Sequence, residues 1–172
     1  MADELGCINL SGQPFSLSFH PSKPILAVGV VNGVVEFHGT SEECLRASEG
    51  GGCADRGGSE GTSAVGHSVR PFMEDASCLS VVFHPVNQNH LYSASSAGEV
   101  AVHDIERQGA VQNKFLATAL DKKTSAGVGV NCIAFSEFDK NVLWAGDDNG
   151  VVRLFDIRTA SQGRQAACPA RG

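Results

Sequence analysis

Trp144-Ala-Gly-Asp-Asp-Asn-Gly-Val-Val-Arg-Leu-Phe-Asp-Ile-Arg158 holds, in fifteen residues, a short apolar strand, a hairpin and a second strand that closes on an aromatic-acidic pair. Asn149-Gly150 is the turn, because Asn and Gly tolerate the positive φ of a tight hairpin. Immediately upstream, Val130-Asn-Cys-Ile-Ala-Phe135 supplies a further strand ending in Phe. The same programme occurs twice earlier. Phe15-Ser-Leu-Ser-Phe19-His-Pro leads through Asn32-Gly33 to Glu36-Phe37-His38, and Cys78-Leu-Ser-Val-Val-Phe83-His-Pro leads through Ala97-Gly98 to Val102-His103-Asp104. From Phe to Gly the distance is 14, 15 and 15 residues. Random apolar sequence does not hold that spacing three times, so the chain is an internal repeat of small β-units.

Within each unit the first strand alternates: Phe15, Leu17, Phe19, then Leu79, Val81, Phe83, then Ile133, Phe135. Period two puts those side chains on one face of a sheet. Second strands at 25–30, 91–95 and 142–145 are almost continuously apolar or small, which suits strands covered on both faces. Third strands are expected at 34–38, 99–105 and 151–157, and a fourth only in the second unit, at about 111–116. Gly33 to Gly98 spans 65 residues and Gly98 to Gly150 spans 52, so the surplus over a compact unit lies in the connections. Residues 39–66 hold eight of the 20 glycines, including Gly50-Gly51-Gly52, with Ser and Glu between them. Such a segment buries too little apolar area to offset its ordering, and a disordered insertion is expected there. It lacks the Gly-Lys-Ser/Thr of a phosphate loop.

The order and wording of these units resemble the WD-repeat family of β-propellers. Each repeat there runs from a Val-x-x-Val-x-Phe-Ser-Pro strand, through an apolar strand and a turn, to a strand closing on Trp-Asp. The stretch 144–158 matches the closing half best, and Phe19-His-Pro-Ser-Lys-Pro-Ile-Leu-Ala-Val-Gly-Val-Val-Asn-Gly-Val-Val carries the likeness in the first unit. The resemblance covers roughly residues 10–158, apart from about 40–65. It implies an all-β partial propeller of about three consecutive four-stranded blades, the last incomplete. The implied boundaries are a tail at 1–10, a first blade at about 11–39, the insertion at about 40–65, a second blade at about 66–119, a third at about 128–158 and a disordered tail at 159–172.

Departures from the family pattern are informative. Asn32, Ala97 and Asn149 stand where an Asp is expected, and Phe37, His103 and Phe155 where the Trp is expected. Gly66-His67 matches the family's Gly-His, whereas the third unit has Ser125-Ala126-Gly127 near that place. Blade stability is therefore expected to come from apolar packing. Propellers close with four to eight blades, so three leave a ring unfinished. A longer protein, a truncated product or completion by other copies would each account for that.

With 172 residues, 42% hydrophobic and 19% charged, the chain can bury one ordinary core. No run reaches the ~18 apolar residues of a membrane helix, and Met1-Ala-Asp-Glu-Leu-Gly is not a signal-peptide start, so a cytosolic or nuclear protein is expected. A net charge of −6, with its 13 basic residues scattered, disfavours direct nucleic-acid binding. Lys122-Lys123 and the pair Arg153 and Arg158 are the nearest basic groupings.

The six Cys, at 7, 44, 53, 78, 132 and 168, contain no Cys-x-x-Cys, so no metal site is expected. Cys78 and Cys132 read as small buried hydrophobes, while Cys44 and Cys53 share a flexible stretch and could meet, free thiols being expected in a reducing compartment. His20 and His84 precede Pro in equivalent turns, and His38 and His103 share a strand terminus. Repetition at matched positions speaks for structure, since an active site needs unlike groups converging once. Asp147-Asp148-Asn149-Gly150 reads as an acidic hairpin because the distant Glu of a calcium loop is missing.

The chain is thus expected to be no enzyme, with no catalytic residue, no cofactor and no small-molecule substrate. Phe155-Asp156-Ile157-Arg158 resembles the Trp-Asp-x-Arg ending by which some WD-repeat proteins dock on the adaptor of a cullin-type ubiquitin ligase. Against that stands a plainer reading, in which Asp156 caps the strand end and Arg158 is solvated. The resemblance implies a non-catalytic scaffold for protein-protein interaction, nuclear and mainly nucleolar, in ribosomal RNA processing and large-subunit assembly. Its implied partners are pre-ribosomal factors, or alternatively the ligase adaptor, with the cytoplasm as a second location.

Overall fold

The structure is a computed structural model, and it describes residues 7–40, 67–72, 75–118 and 128–160. Three antiparallel sheets follow one another along the chain. The first holds β1 (Pro14–Phe19), β2 (Ile25–Val30), β3 (Val35–Gly39) and β4 (His67–Val69); the second holds β5 (Cys78–Phe83), β6 (His90–Ser95), β7 (Glu99–Asp104) and β8 (Ala110–Leu116). The third has β9 (Val130–Phe135), β10 (Val142–Asp147) and β11 (Val152–Asp156), followed by a single helical turn, α1 (Ile157–Ala160). Every sheet is a meander, as the hairpin signals predict. Gly33, Gly98 and Gly150 sit in matched turns with φ of 75°, 84° and 74°.

Pairing registers establish the repeat residue by residue. Phe19, Phe83 and Phe135 face Leu26, Leu91 and Leu143. Each first strand also carries a bulge at one matched position, where Phe15, Leu79 and Asn131 fall out of the ladder. In the third strands His38, His103 and Phe155 face those same leucines, so His38 and not Phe37 occupies the position matched to His103 and Phe155.

Inner strands lie side by side and are tied blade to blade. The Ser16 hydroxyl accepts from the Val81 N–H at 3.1 Å, Ser18 from Phe83 at 3.2 Å and, one blade on, Ser80 from Ile133 at 3.2 Å. Two apolar clusters fill the gaps between blades. Ile25, Ala27, Val35 and Phe37 of the first blade pack on Val81, Phe83 and Leu91 of the second. Tyr92, Val100 and Val102 of the second pack on Ile133, Leu143 and Phe155 of the third. Phe37 lies against Gly109, whose φ is +71° and where an added Cβ would stand 2.5 Å from the ring, so only Gly fits there. Each blade thus has an upstream face and a downstream face. The upstream face of the first blade (Leu17, Phe19) and the downstream face of the third (Trp144, Val152) stay exposed.

Three further expectations need correction. A fourth strand was expected only in the second unit, yet β4 completes the first sheet from beyond residue 66, pairing Phe37 with His67. His67–Val69 therefore belong to the first blade, and the second sheet begins at Cys78 rather than at about 66. Cys78 is buried as expected, but Cys132 is exposed, because it lies on the open downstream face. The expected insertion at about 40–65 (residue 40 apart), Gly66, Cys44, Cys53, Cys168, Lys122-Lys123, Ser125-Ala126-Gly127 and most of both tails lie outside the described residues.

Candidate functional site at the second and third blades

The site begins with the turn between the first and second strand of each blade. His84 Nδ1 accepts from the N–H of Val86 at 3.1 Å and of Asn87 at 2.8 Å; His20 Nδ1 accepts from Ser22 at 3.1 Å and Lys23 at 2.9 Å. Ser136 takes the matched place in the third blade, its hydroxyl accepting from Phe138 and Asp139 at 3.3 Å each. Two N–H donors at Nδ1 require a neutral imidazole with its proton on Nε2. Burial, and next the Lys23 charge for His20 or His90 for His84, holds both rings below the usual histidine pKa. Each ring also meets the Phe of the next blade edge-on, His20 on Phe83 at 5.0 Å and His84 on Phe135 at 4.7 Å. These histidines are turn staples that set one blade against the next.

Between the second and third blades the turns frame a cleft of about 430 Å³. His84, Tyr92 and Ile157 supply its less polar wall, while Asn87, His90, Lys140 and Arg158 carry the polar one. Two apolar side chains stand on the flanking turns at one matched repeat position. Val86, two residues past His84, is 69% exposed, and Phe138, two past Ser136, is 100% exposed.

Asp156 and Arg158 come together here. Arg158 Nε and Nη2 donate to the two Asp156 carboxylate oxygens at 2.9 and 2.5 Å, and Asp156 Oδ1 also accepts the Arg158 N–H at 3.0 Å. The Arg158 guanidinium holds the Asp156 carboxyl below the usual range. Asp156 thus caps α1, while the Arg158 side chain, 62% exposed, reaches the cleft wall.

His103, where the family resemblance puts a Trp, is fully buried. Its Nε2 accepts from the Ser93 hydroxyl at 2.7 Å, and its Nδ1–H donates to the Gly109 carbonyl at 2.9 Å. Burial pushes its pKa down to about 4. Among the described residues no group of three His, Cys, Asp or Glu side chains could hold a metal ion.

Sequence reasoning singled out Asp156 and Arg158 but missed Val86, Phe138, Lys140 and Tyr92. An available signal was two apolar residues at the same offset in turns otherwise built from His, Pro, Ser and Asn.

Two four-stranded meanders and a three-stranded one, with matched hairpin glycines, inner-strand bulges and inter-blade serine links, define a stretch of WD-repeat β-propeller. The relatives agree. The chain is 28% identical over 160 residues to WD repeat-containing protein jip5 of Emericella nidulans, covering 92% of this chain and 37% of that protein. It is 30% identical over 159 residues to WD repeat-containing protein jip5 of Aspergillus terreus, with 92% and 36% covered. It is 29% identical over 151 residues to WD repeat-containing protein 55 of Rattus norvegicus, with 88% and 32% covered. No family model matches the chain. The fold is that of a partial WD-repeat propeller, the chain is similar in sequence to these WD-repeat proteins, and it spans about a third of the length of the curated relatives it matches.

Proposed function

We propose that the chain is a non-catalytic scaffold that grips a partner protein at the cleft between its second and third blades. The observation that carries this is the pair of exposed apolar tips, Val86 and Phe138, beside a cleft with Lys140 and Arg158 on its wall. Such a surface suits a peptide with apolar anchors and acidic neighbours. The resemblance to WD repeat-containing protein 55 supports a nucleolar setting, in ribosomal RNA processing and large-subunit assembly. A net charge of −6 favours recruitment through pre-ribosomal proteins over direct contact with RNA phosphates. The test is co-sedimentation of the tagged chain with large-subunit precursor particles, comparing wild type with a Val86→Ser, Phe138→Ser double variant. Loss in the variant is expected. Equal co-sedimentation sinks the cleft, and none for either protein sinks the ribosomal assignment.

A second reading, adaptor docking of a cullin-type ubiquitin ligase, is favoured by the pre-aligned Asp156-Arg158 pair with its exposed guanidinium. Arg158→Ala should then abolish adaptor pull-down, and unchanged capture rejects this reading.

A further inference from the structure

We propose that Asn149 is a site of spontaneous covalent modification, at which the side-chain amide is displaced by the next backbone nitrogen and the residue becomes aspartate or isoaspartate. The site lies at the opposite end of β10 from the cleft, so it goes beyond the scaffold reading and does not depend on it.

The chain carries its own control. Asn32-Gly-Val-Val35 and Asn149-Gly-Val-Val152 are the same four residues in matched hairpins. Asn is a thermolabile residue, and a following Gly makes it most reactive, because no Cβ obstructs the attacking nitrogen. Gly33 and Gly150 have φ of 75° and 74°, and their N–H groups donate to the Val30 and Asp147 carbonyls at 3.0 Å each. Opening the turn is thus a barrier common to both. Any difference between them comes from what holds the Asn side chain.

The three blades satisfy one matched hairpin N–H, that of Val34, Glu99 and Val151, in different ways. In the second and third blades the last residue of the second strand accepts it, Ser95 Oγ from Glu99 at 3.1 Å and Asp147 Oδ1 from Val151 at 2.9 Å. Val30 holds that position in the first blade and has no side-chain oxygen, so Asn32 Oδ1 accepts from Val34 at 3.2 Å instead. Asn32 Nδ2 also donates to the Ser11 hydroxyl at 3.2 Å, and Ser11 is itself held by its N–H on Glu36 Oε1 at 2.9 Å. Both ends of the Asn32 amide are therefore tied. Asp147 accepts the N–H groups of Asn149 and Val151 alike, which releases the Asn149 amide from that task.

The step balances with water alone. Gly150 N gives up its proton and attacks Asn149 Cγ; the Cγ–Nδ2 bond breaks, ammonia leaves and a five-membered succinimide remains. Water then cleaves one of the two acyl bonds to that nitrogen. Cleavage at Cγ yields aspartate, and cleavage at the backbone carbonyl carbon yields isoaspartate, which adds a methylene to the main chain of the turn. Either product places a further negative charge beside Asp147 and Asp148.

The experiment is peptide mapping by mass spectrometry on the purified chain, aged in mildly alkaline water enriched in heavy oxygen, both folded and in urea. In the folded chain, label should enter at Asn149 about tenfold faster than at Asn32, whose two extra hydrogen bonds are each worth a factor of about two to ten. In urea the two rates should converge. Asp147→Val copies Val30, so it should hand the Val151 N–H to Asn149 and slow labelling there severalfold. Equal rates in the folded chain overturn the proposal, as does faster labelling at Asn32. A ratio unchanged by urea also overturns it, because the preference then belongs to the preceding residues, Asp148 and Val31, and not to the hairpin. So does undiminished labelling at Asn149 in an Asp147→Val chain with intact strand circular dichroism. If that variant fails to fold, the wild-type ratio, folded against unfolded, still decides.

Discussion

Lowering the pH should destabilise this chain through His103, and Gln at that position should remove the effect. In the folded state the imidazole is neutral, donating to the Gly109 carbonyl and accepting from Ser93. Burial depresses its pKa from the ordinary histidine value of about 6.5 to about 4. A depressed histidine pKa means that the unfolded chain takes the proton first. Above pH 6.5 both states are neutral there and stability is unaffected. Between 6.5 and about 4 the unfolded state gains about 1.4 kcal/mol per pH unit, and below that the loss levels off at about 3 kcal/mol. By about pH 5 the loss should be about 2 kcal/mol.

The assay is urea unfolding followed by circular dichroism, at pH steps from about 7.5 to about 4.5, on wild type and His103→Gln. Gln can still bond to Gly109 or Ser93, so its own cost is a constant offset. The stability difference between the two proteins should shrink by about 2 kcal/mol as the pH falls to about 5. A difference that stays flat within about 0.5 kcal/mol refutes the buried neutral imidazole. His20 and His84 are depressed in the same direction and add a shallower slope common to both proteins.

Phe83→Ala should cost about 3–5 kcal/mol, as for a fully buried Phe, and Phe135→Ala roughly half, because Phe83 is 4% exposed while its matched partner is only partly buried; equal losses in thermal unfolding would contradict this. Asp147→Ala should cost about 1–3 kcal/mol in urea unfolding by orphaning the Asn149 and Val151 N–H groups and the Arg153 side chain, and a neutral result would mean the hairpin does not need its carboxylate. Deleting residues 45–62 should leave stability within about 1 kcal/mol, since β3 and β4 pair across that connection and halving a loop changes closure entropy by about 0.6 kcal/mol; a loss above about 3 kcal/mol would show that the deleted stretch packs.

How far the sequence could be read depended on whether a feature is local. The hairpin glycines and the pairs Val81/Phe83 of β5 and Ile133/Phe135 of β9 are decided within a few residues, and the structure places them as expected, whereas Leu79 and Phe15 leave the alternation at bulges. The bulges at Phe15, Leu79 and Asn131 are invisible along the chain, because a bulge exists only against a partner strand's register. β4 escaped for a related reason: His67–Val69 is three residues long and acquires meaning only by lying beside β3. Cys132 was misread because burial was argued from strand position, whereas its exposure depends on which face of the blade is covered. The cleft was half legible. Asp156 and Arg158 follow from a local motif, but its remaining wall is assembled from two blades, and no single repeat contains it.

The late position of β4 bears on how the chain comes off the ribosome. Twenty-seven residues separate Gly39 from His67, so β3 emerges well before the strand that covers its edge. At translation speeds of about 5–20 residues per second, that interval lasts about one to five seconds. During it the first sheet presents the unpaired N–H and C=O groups of β3, which are open to pairing with another nascent chain. A slower codon stretch between the two strands would lengthen the exposure, and a chaperone that shields β3 during synthesis would shorten its effect. The three residues of β4, small as they are, time the moment at which the first blade becomes safe from its neighbours.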